Sequence, residues 1–205
     1  MKKLLTLTLL TVLLSSLLVS SISAAPAATT THTVVRGDTM WKIAVRYEVG
    51  LSEIKGANPH IKNPDLIYPG QVLTIPTLNS SVSAYENEVV RLVNAERAKR
   101  GLSPLAHNWQ VSRVARYKSE DMQKNRYFSH TSPTYGSPFQ MLKSFGITYR
   151  TAGENIAKGQ PTPSAVVNAW MNSSGHRANI LNSSFTEIGV GYVANGNYWT
   201  QMFIG

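Results

Sequence analysis

The sequence predicts an α+β protein in two folded units. A small βααβ module comes first, followed by a larger domain in which helices bracket a small antiparallel sheet, an α-β-α sandwich. Three observations carry this. Between Thr33 and Pro76 two short β-prone runs enclose two short helical patterns. From Ala84 onward, four segments place apolar residues at helical spacing. At the C-terminus two β-prone runs flank Ala-Asn-Gly-Asn, and Asn195-Gly196 is a strong hairpin signal. Helices around one small sheet is an ordinary layered solution for such a pattern.

Residues 1–25 read as a secretory signal peptide. Lys2 and Lys3 form a basic start, Leu4 to Val19 is an apolar run broken only by Thr and Ser, and Ser23-Ala24-Ala25 offers a small-residue cleavage site before Pro26. No basic stop-transfer cluster follows, so no membrane contact is expected after cleavage. Ala27 to Thr33 reads as an exposed lead-in. Removing Lys2 and Lys3 with the leader lowers the formal charge from +9 to +7. That charge favours polyanions, which outside a cell means wall phosphates, carboxylates and lipid head groups. The basic residues are scattered, with no dense basic-aromatic run, which argues against nucleic acid. The chain has no cysteine. A secreted domain without disulfides depends on its core or a support, which suits a Gram-positive wall better than an animal secretion.

In the module 33–76, Thr33-Val34-Val35 is the first strand candidate. Asp38 or Thr39 caps a helix through Tyr47 whose apolar positions are Met40, Trp41, Ala44, Val45 and Tyr47. A second helix runs from Leu51 to Ala57, with Ser52 as candidate cap, and Asn58-Pro59 stops it. Tyr68-Pro69-Gly70-Gln71 is a turn, and Val72 to Ile75 is the returning strand. The segments V-x-x-GDT-M-W-x-IA, ANP and IYPGQVLTIP resemble a LysM module over its full length. The resemblance implies binding of N-acetylglucosamine glycans, chiefly peptidoglycan and chitin, in a groove between two loops. On this chain those loops hold Gly37, Asp38, Thr39 and Met40 on one side and the segment 61–70, with Ile67, Tyr68, Pro69 and Gly70, on the other. Loop amides can hydrogen-bond acetamido groups while apolar side chains pack on sugar faces. The alternative is that Asp38 and Thr39 only form a turn and cap and that Met40 is only core.

Residues 77–83 read as a polar linker, and 84–205 as the larger domain. Ser83-Ala-Tyr-Glu is a capping-box pattern opening a helix through Arg100, with Val89, Leu92, Val93 and Ala95 inward. Asn108 caps a helix from Trp109 to Lys124 that buries Val111, Val114, Ala115 and Met122. Pro138 and Pro163 fit the first turns of two more helices. Strands follow at 187–193 and 198–203. His32, His60 and His107 read as surface, and Trp109, Trp170, Trp199 and Phe128 as core.

Four residues in this half carry candidate chemistry: His130 in YFSHTSP, Glu154 in AGENIA, His176 in SSGHRANIL and Glu187 in FTEIGVGY. Each lies in a segment dense in Gly, Ser, Pro or Asn. Two imidazoles and two carboxylates can bind a divalent metal or move a proton, and the residue types do not choose between them. These motifs, with NAERAKRGLSPLAHN and YWTQMFIG, resemble a bacterial CAP domain, the superfamily of cysteine-rich secretory, antigen 5 and pathogenesis-related proteins. The resemblance implies a central cavity holding two His and two Glu. His130, Glu154 and His176 match three of these. Many eukaryotic members place the other Glu three residues after a helical Trp, a position that is Ser173 here, so Glu187 is the nearest substitute. A His pair, His130 and His176, with carboxylates suits Zn²⁺ or another divalent ion. Equally, the four can form a structural polar network.

Together these readings describe an exported, wall-associated protein that docks on peptidoglycan or another N-acetylglucosamine polymer. Spore-coat or wall proteins are candidate partners, since the LysM segment is similar to those of spore-coat assembly proteins. No HExxH, GxSxG or catalytic cysteine is present, so a binding protein is favoured over the alternative, a metal-dependent wall hydrolase or protease. A third reading is a cavity for an apolar ligand.

Overall fold

The computed structural model describes residues 28–205, so the signal peptide lies outside the described residues. The first unit is β1 (Thr29–Thr33), α1 (Met40–Arg46), α2 (Leu51–Ala57) and β2 (Val72–Pro76). Strand β1 pairs antiparallel with β2, from Thr29 opposite Pro76 to Thr33 opposite Val72. The strand therefore occupies the Ala/Thr-rich stretch read as a lead-in, not 33–35. Its four threonines are β-branched and suit a pleated surface, and the ladder bonds continue only as far as Val34, whose amide donates to Gln71 O at 2.8 Å. Val34, Met40, Ile43, Ala44, Ile54, Leu73 and Ile75 form the core. Trp41 and Val45, expected on the inner face of α1, are exposed. Ser52 does not cap α2, whose N-cap is Gly50 and which has no side-chain cap; the Ser52 hydroxyl donates to Glu53 instead. Asn58, 1 % exposed, donates to Ile54 O (2.8 Å) and Thr74 O (2.7 Å) and accepts from Thr74 N (2.8 Å), so its side chain stitches α2 to β2.

The second unit contains α3 (Ser80–Ala98), β3 (Ala106–His107), α4 (Trp109–Lys124), α5 (Pro138–Ser144), β4 (Ala152–Lys158), α6 (Pro163–Asn172), α7 (Ser174–Ile180), β5 (Glu187–Val193) and β6 (Tyr198–Ile204). The linker is shorter than the expected 77–83: α3 begins at Ser80, capped by Asn79, whose side chain accepts from Ser81 N. Asn79 supplies the cap one turn before the Ser83 box, so the helix extends back to it. The sheet order is β3-β5-β6-β4, antiparallel except for the short parallel β3–β5 pair. Strands β3 and β4 and helix α7 had no clear pattern of their own in the sequence.

The sheet separates two cores. On one face Val89, Val93, Val166 and Trp170 from α3 and α6 meet Ile188, Val190, Trp199 and Phe203. On the other, Val111, Val114 and Ala115 of α4 and Met141 and Leu142 of α5 meet Met202 and Ile204. Helix α4 lies directly on two glycines of β5. A Cβ on Gly189 would fall 2.2 Å from Ser112 N, and one on Gly191 would fall 2.1 Å from Arg116 N. The alternation of Gly with Ile188, Val190 and Tyr192 thus lets one face of the strand take a helix at close range while the other fills the opposite core.

The two units touch. The Arg113 guanidinium on α4 donates to both carboxylate oxygens of Glu53 on α2, at 2.5 and 2.9 Å, and to Ser52 Oγ at 2.9 Å; Tyr117 OH donates to Glu53 at 2.9 Å. Burial raises the Glu53 pKa, but the bonds from Arg113 and Ser52 outweigh it and hold the carboxyl below its usual range.

Candidate functional site

Strand β4 is the open edge of the sheet, and the candidate site is built along it. Thr151 and Gly205 exchange both main-chain bonds, at 2.9 and 3.0 Å. The antiparallel parity then aims the amides of Gly153, Asn155 and Ala157 at β6 and those of Glu154, Ile156 and Lys158 at the open edge. Side chains alternate as well. Glu154, opposite Met202, faces α4; Asn155, opposite Gln201, faces α7.

Each of these neighbours fixes one histidine-bearing segment, from opposite faces of the strand. Glu154 Oε1 accepts from His130 Nδ1 at 2.7 Å. The Glu154 side chain is 2 % exposed and that of His130 53 %. A carboxylate acceptor assigns the proton to Nδ1, which leaves the Nε2 lone pair as the outward, basic position. Glu154 Oε2 is buried without a hydrogen-bond partner. Asn155, fully buried, donates to His176 O (3.1 Å) and Gln201 Oε1 (2.9 Å) and accepts from Asn179 Nδ2 (2.8 Å). This amide network docks α7, and with it His176, on the sheet. Burial lowers the His176 pKa, and the nearby His130 charge lowers it further.

The His130 loop is held from beneath by α4. Lys118, fully buried, donates from Nζ to Ser129 O (2.7 Å), His130 O (2.9 Å) and Tyr127 OH (3.1 Å). Asp121 accepts from Asn125, Tyr127, Ser132 and Thr134 at 2.5 to 2.7 Å. Burial raises the Asp121 pKa, but those four donors outweigh it and keep the carboxyl ionised below its usual range. The signal for both residues was present in the sequence: Lys118 and Asp121 share the helical face of Val111, Val114, Ala115 and Met122, where a charged side chain requires partners.

His130 and His176 line one cleft of about 500 Å³ with Phe128, Ile156, Trp170 and Gln160. Phe128, expected in the core, is 51 % exposed at its wall. Glu187 is elsewhere. It sits on β5, with β6 between it and β4, and its carboxylate accepts from Asn108 Nδ2. Asn108 in turn caps α4 through Gln110 N and Val111 N, so Glu187 orients a helix cap. The position that carries Glu in many eukaryotic relatives, Ser173, does line the cleft. Three of the four expected residues therefore meet, and the fourth does not. Among the described residues no group of three or more His, Cys, Asp or Glu side chains is placed to hold a metal ion. Catalytic zinc sites use three protein ligands, and Glu154 Oε1 is engaged by His130. The residues present do not fit such a centre.

In the first unit the expected glycan residues divide. Asp38 accepts from His32 (2.8 Å), Val35 N (3.0 Å) and Arg46 (3.3 Å). The Val35 amide and His32 hold its carboxyl below the usual range. Thr39 caps α1 by accepting from Lys42 N, and Met40 is 3 % exposed in the core. These three side chains support the loop. His32, expected at the surface, is 8 % exposed because Asp38 and Tyr47 bind its two nitrogens. His107 is at the surface as expected, with its Nε2 at 2.9 Å from Ser112 Oγ. Gly37 and Gly70 adopt φ of 90° and 88°, left-handed values that glycine permits. Gly70 N donates to Val34 O at 2.9 Å, which sets segment 67–70 beside the 34–37 turn. Tyr68, 59 % exposed, is the aromatic surface at that junction.

A model of the cysteine-rich secretory protein family, CAP, matches residues 90–203, and one of the LysM domain matches residues 32–76. The chain is 65% identical over 132 residues to the uncharacterized protein YkwD of Bacillus subtilis, covering 64% of this chain and 51% of YkwD. It is 46% identical over 46 residues to the spore coat assembly protein ExsA of Bacillus cereus, covering 22% of this chain and 7% of ExsA. Among solved structures, an extracellular protein containing a SCP domain from Bacillus anthracis matches with a TM-score of 0.58 at 35% identity, over 66% of this chain and 47% of that one. The chain thus spans about half the length of YkwD.

Proposed function

Because the chain belongs to the cysteine-rich secretory protein family and carries a LysM domain, a peptidoglycan- and chitin-binding module, we propose that it is an exported wall component. The LysM groove docks it on peptidoglycan, and the CAP cleft presents His130 and His176 to a ligand. A tether raises the local concentration of whatever the cleft recognises, so a weak site suffices. The observation that carries the reading is the architecture of the cleft: two histidines line it, and two adjacent strand residues hold them, Glu154 through the ring of His130 and Asn155 through the main-chain carbonyl of His176. The likeness of the LysM segment to ExsA supports a spore layer as the destination. Among the described residues no helix is long and apolar enough to cross a membrane.

One observation favours a second reading. The buried Glu154 behind His130 Nδ1, with Nε2 outward, is the arrangement of an oriented general base. One experiment addresses both. The mature protein is incubated with purified peptidoglycan, and bound protein and released muropeptides are measured for wild type and His130→Ala/His176→Ala. Pelleting without release supports a binding component. Release that requires the two histidines makes the protein a wall hydrolase. Failure to pellet overturns the docking role.

A further inference from the structure

We propose that the cleft on the open edge of β4 binds a short extended peptide bearing a carboxylate, taken up as an added strand beside β4. This rests on reading the cleft as the ligand site and specifies the ligand class.

The floor carries the argument. The parity of the β4–β6 ladder turns the main-chain groups of Glu154, Ile156 and Lys158 away from β6. Two of their carbonyls are already covered: Glu154 O accepts from Asn179 Nδ2 at 3.2 Å, and Ile156 O from the Trp170 indole at 3.2 Å. Among the described residues no side chain accepts from the outward amides of Ile156 and Lys158. An edge with free N–H groups is a template for another strand, and peptides use such edges in recognition.

The walls allow only a narrow occupant. Phe128 and His130 from the loop after α4, and Ala169, the almost fully buried Trp170 and His176 from α6 and α7, line the cleft with β4. An extended backbone lying on the floor would direct alternate side chains outward and its carbonyls at Ile156 N and Lys158 N. Gln160 adds a second, independent feature. Its Oε1 is buried without a partner although the residue lines the cleft, and a turn of the amide toward the cleft would give a peptide N–H an acceptor that a purely apolar ligand could not use. Charge sets the last requirement. Lys158 is the one lysine, arginine or acid among the residues lining the cleft, and the two imidazoles share its sign when protonated. A carboxylate on the peptide complements that balance.

The test uses the full mature chain, ¹⁵N-labelled, with pools of N-acetylated hexapeptides ending in a free carboxylate. The expected result is that one or more pools shift the amide resonances of Ile156 and Lys158 and slow their hydrogen exchange. Methylating alternate peptide nitrogens abolishes binding. Lys158→Ala, which keeps the amide, weakens the acid peptide about fivefold, the worth of one exposed charge pair, and leaves its C-terminal amide unaffected. Lys158→Pro removes the outward N–H at a sheet edge, where proline is tolerated, and eliminates the protection. The proposal is overturned if no pool perturbs these amides below millimolar concentration, or if binding is indifferent to N-methylation. Pelleting with peptidoglycan on the same preparation separates a failure here from a failure of wall docking.

Discussion

The LysM and CAP units use their polar side chains in opposite ways. In the LysM module, Asp38, His32, Thr39 and Asn58 are satisfied internally. What faces the solvent at its candidate groove is main chain with the apolar or aromatic side chains of Val35, Leu66 and Tyr68. In the CAP domain the supporting residues Lys118, Asp121 and Asn155 are satisfied, while groups at the cleft are left without partners: His130 Nε2, the outward amides of β4 and, buried beneath the wall, Gln160 Oε1. A surface that recognises through its backbone and apolar side chains can use its polar side chains for rigidity. A surface that recognises through side chains needs an additional layer to hold them. Mutations should therefore act on the LysM groove through folding and on the CAP cleft through individual contacts.

The largest effect tests the first half of that contrast. Asn58→Leu leaves Ile54 O, Thr74 O and Thr74 N without partners in a buried position, at roughly 1–3 kcal/mol for each lost group. A module this small has little stability in reserve. The expected outcome is loss of pelleting with peptidoglycan, while the CAP unit keeps its own cooperative thermal transition. Wild-type pelleting by this variant would show that the groove does not depend on that framework. A smaller effect tests the second half. Glu154→Ala frees the half-exposed His130 ring at a cost of about 1–2 kcal/mol for a charge-assisted bond. Ring ¹⁵N spectra should show His130 losing its fixed Nδ1–H tautomer, with pelleting unchanged. Glu187→Ala, which loosens the α4 cap instead, should cost about 0.5–1 kcal/mol and leave the His130 ring spectrum as it is.

The contrast also explains what could be read from the sequence. Both families, the βααβ order and the α+β class were legible because LysM and CAP motifs are dense in turn and cap residues with fixed backbone roles. Helix α4 was legible to the residue at both ends, since Asn108 caps it and its apolar face is regular. Strand β4 was not. Gly153 to Ala157 is buried on both faces, so Glu154 and Asn155 interrupt any alternation. The motifs set Glu154, which reaches His130, apart from Glu187, only a substitute for the missing family glutamate; that Glu187 reaches Asn108 instead follows from the order of strands. His32 looked exposed because its partner Asp38 lies across a turn.

Coupling between the units gives the next test. Glu53 and Arg113 form a two-pronged, partly buried pair joined by Ser52 and Tyr117. A double-mutant cycle of Glu53→Ala and Arg113→Ala should give about 1–2 kcal/mol of interaction, above the range of an isolated exposed pair because the geometry is bidentate. Calorimetry should show the thermal transitions of the two units separating further when either residue is removed. A coupling near zero would mean that each unit folds without reference to the other, and that the LysM module holds the CAP cleft only by its short connection.

The smallest effect is a pH slope. Burial first, and the His130 charge second, lower the His176 pKa below its ordinary 6.5. The unfolded chain then binds a proton at a higher pH than the folded one does. Stability from this group is fully present above pH 6.5 and declines as the pH falls from there toward the folded pKa, where protonation forces a charge into a half-buried position beside His130. His176→Asn removes the titrating ring, so its denaturant midpoint should fall less than that of wild type between pH 7 and pH 5. The effect belongs to the cleft alone: the same pH step should leave the difference between Asn58→Leu and wild type in pelleting unaltered. A wild-type slope that persists in full in His176→Asn would place the acid sensitivity elsewhere and would mean that the two imidazoles do not sense one another across the cleft.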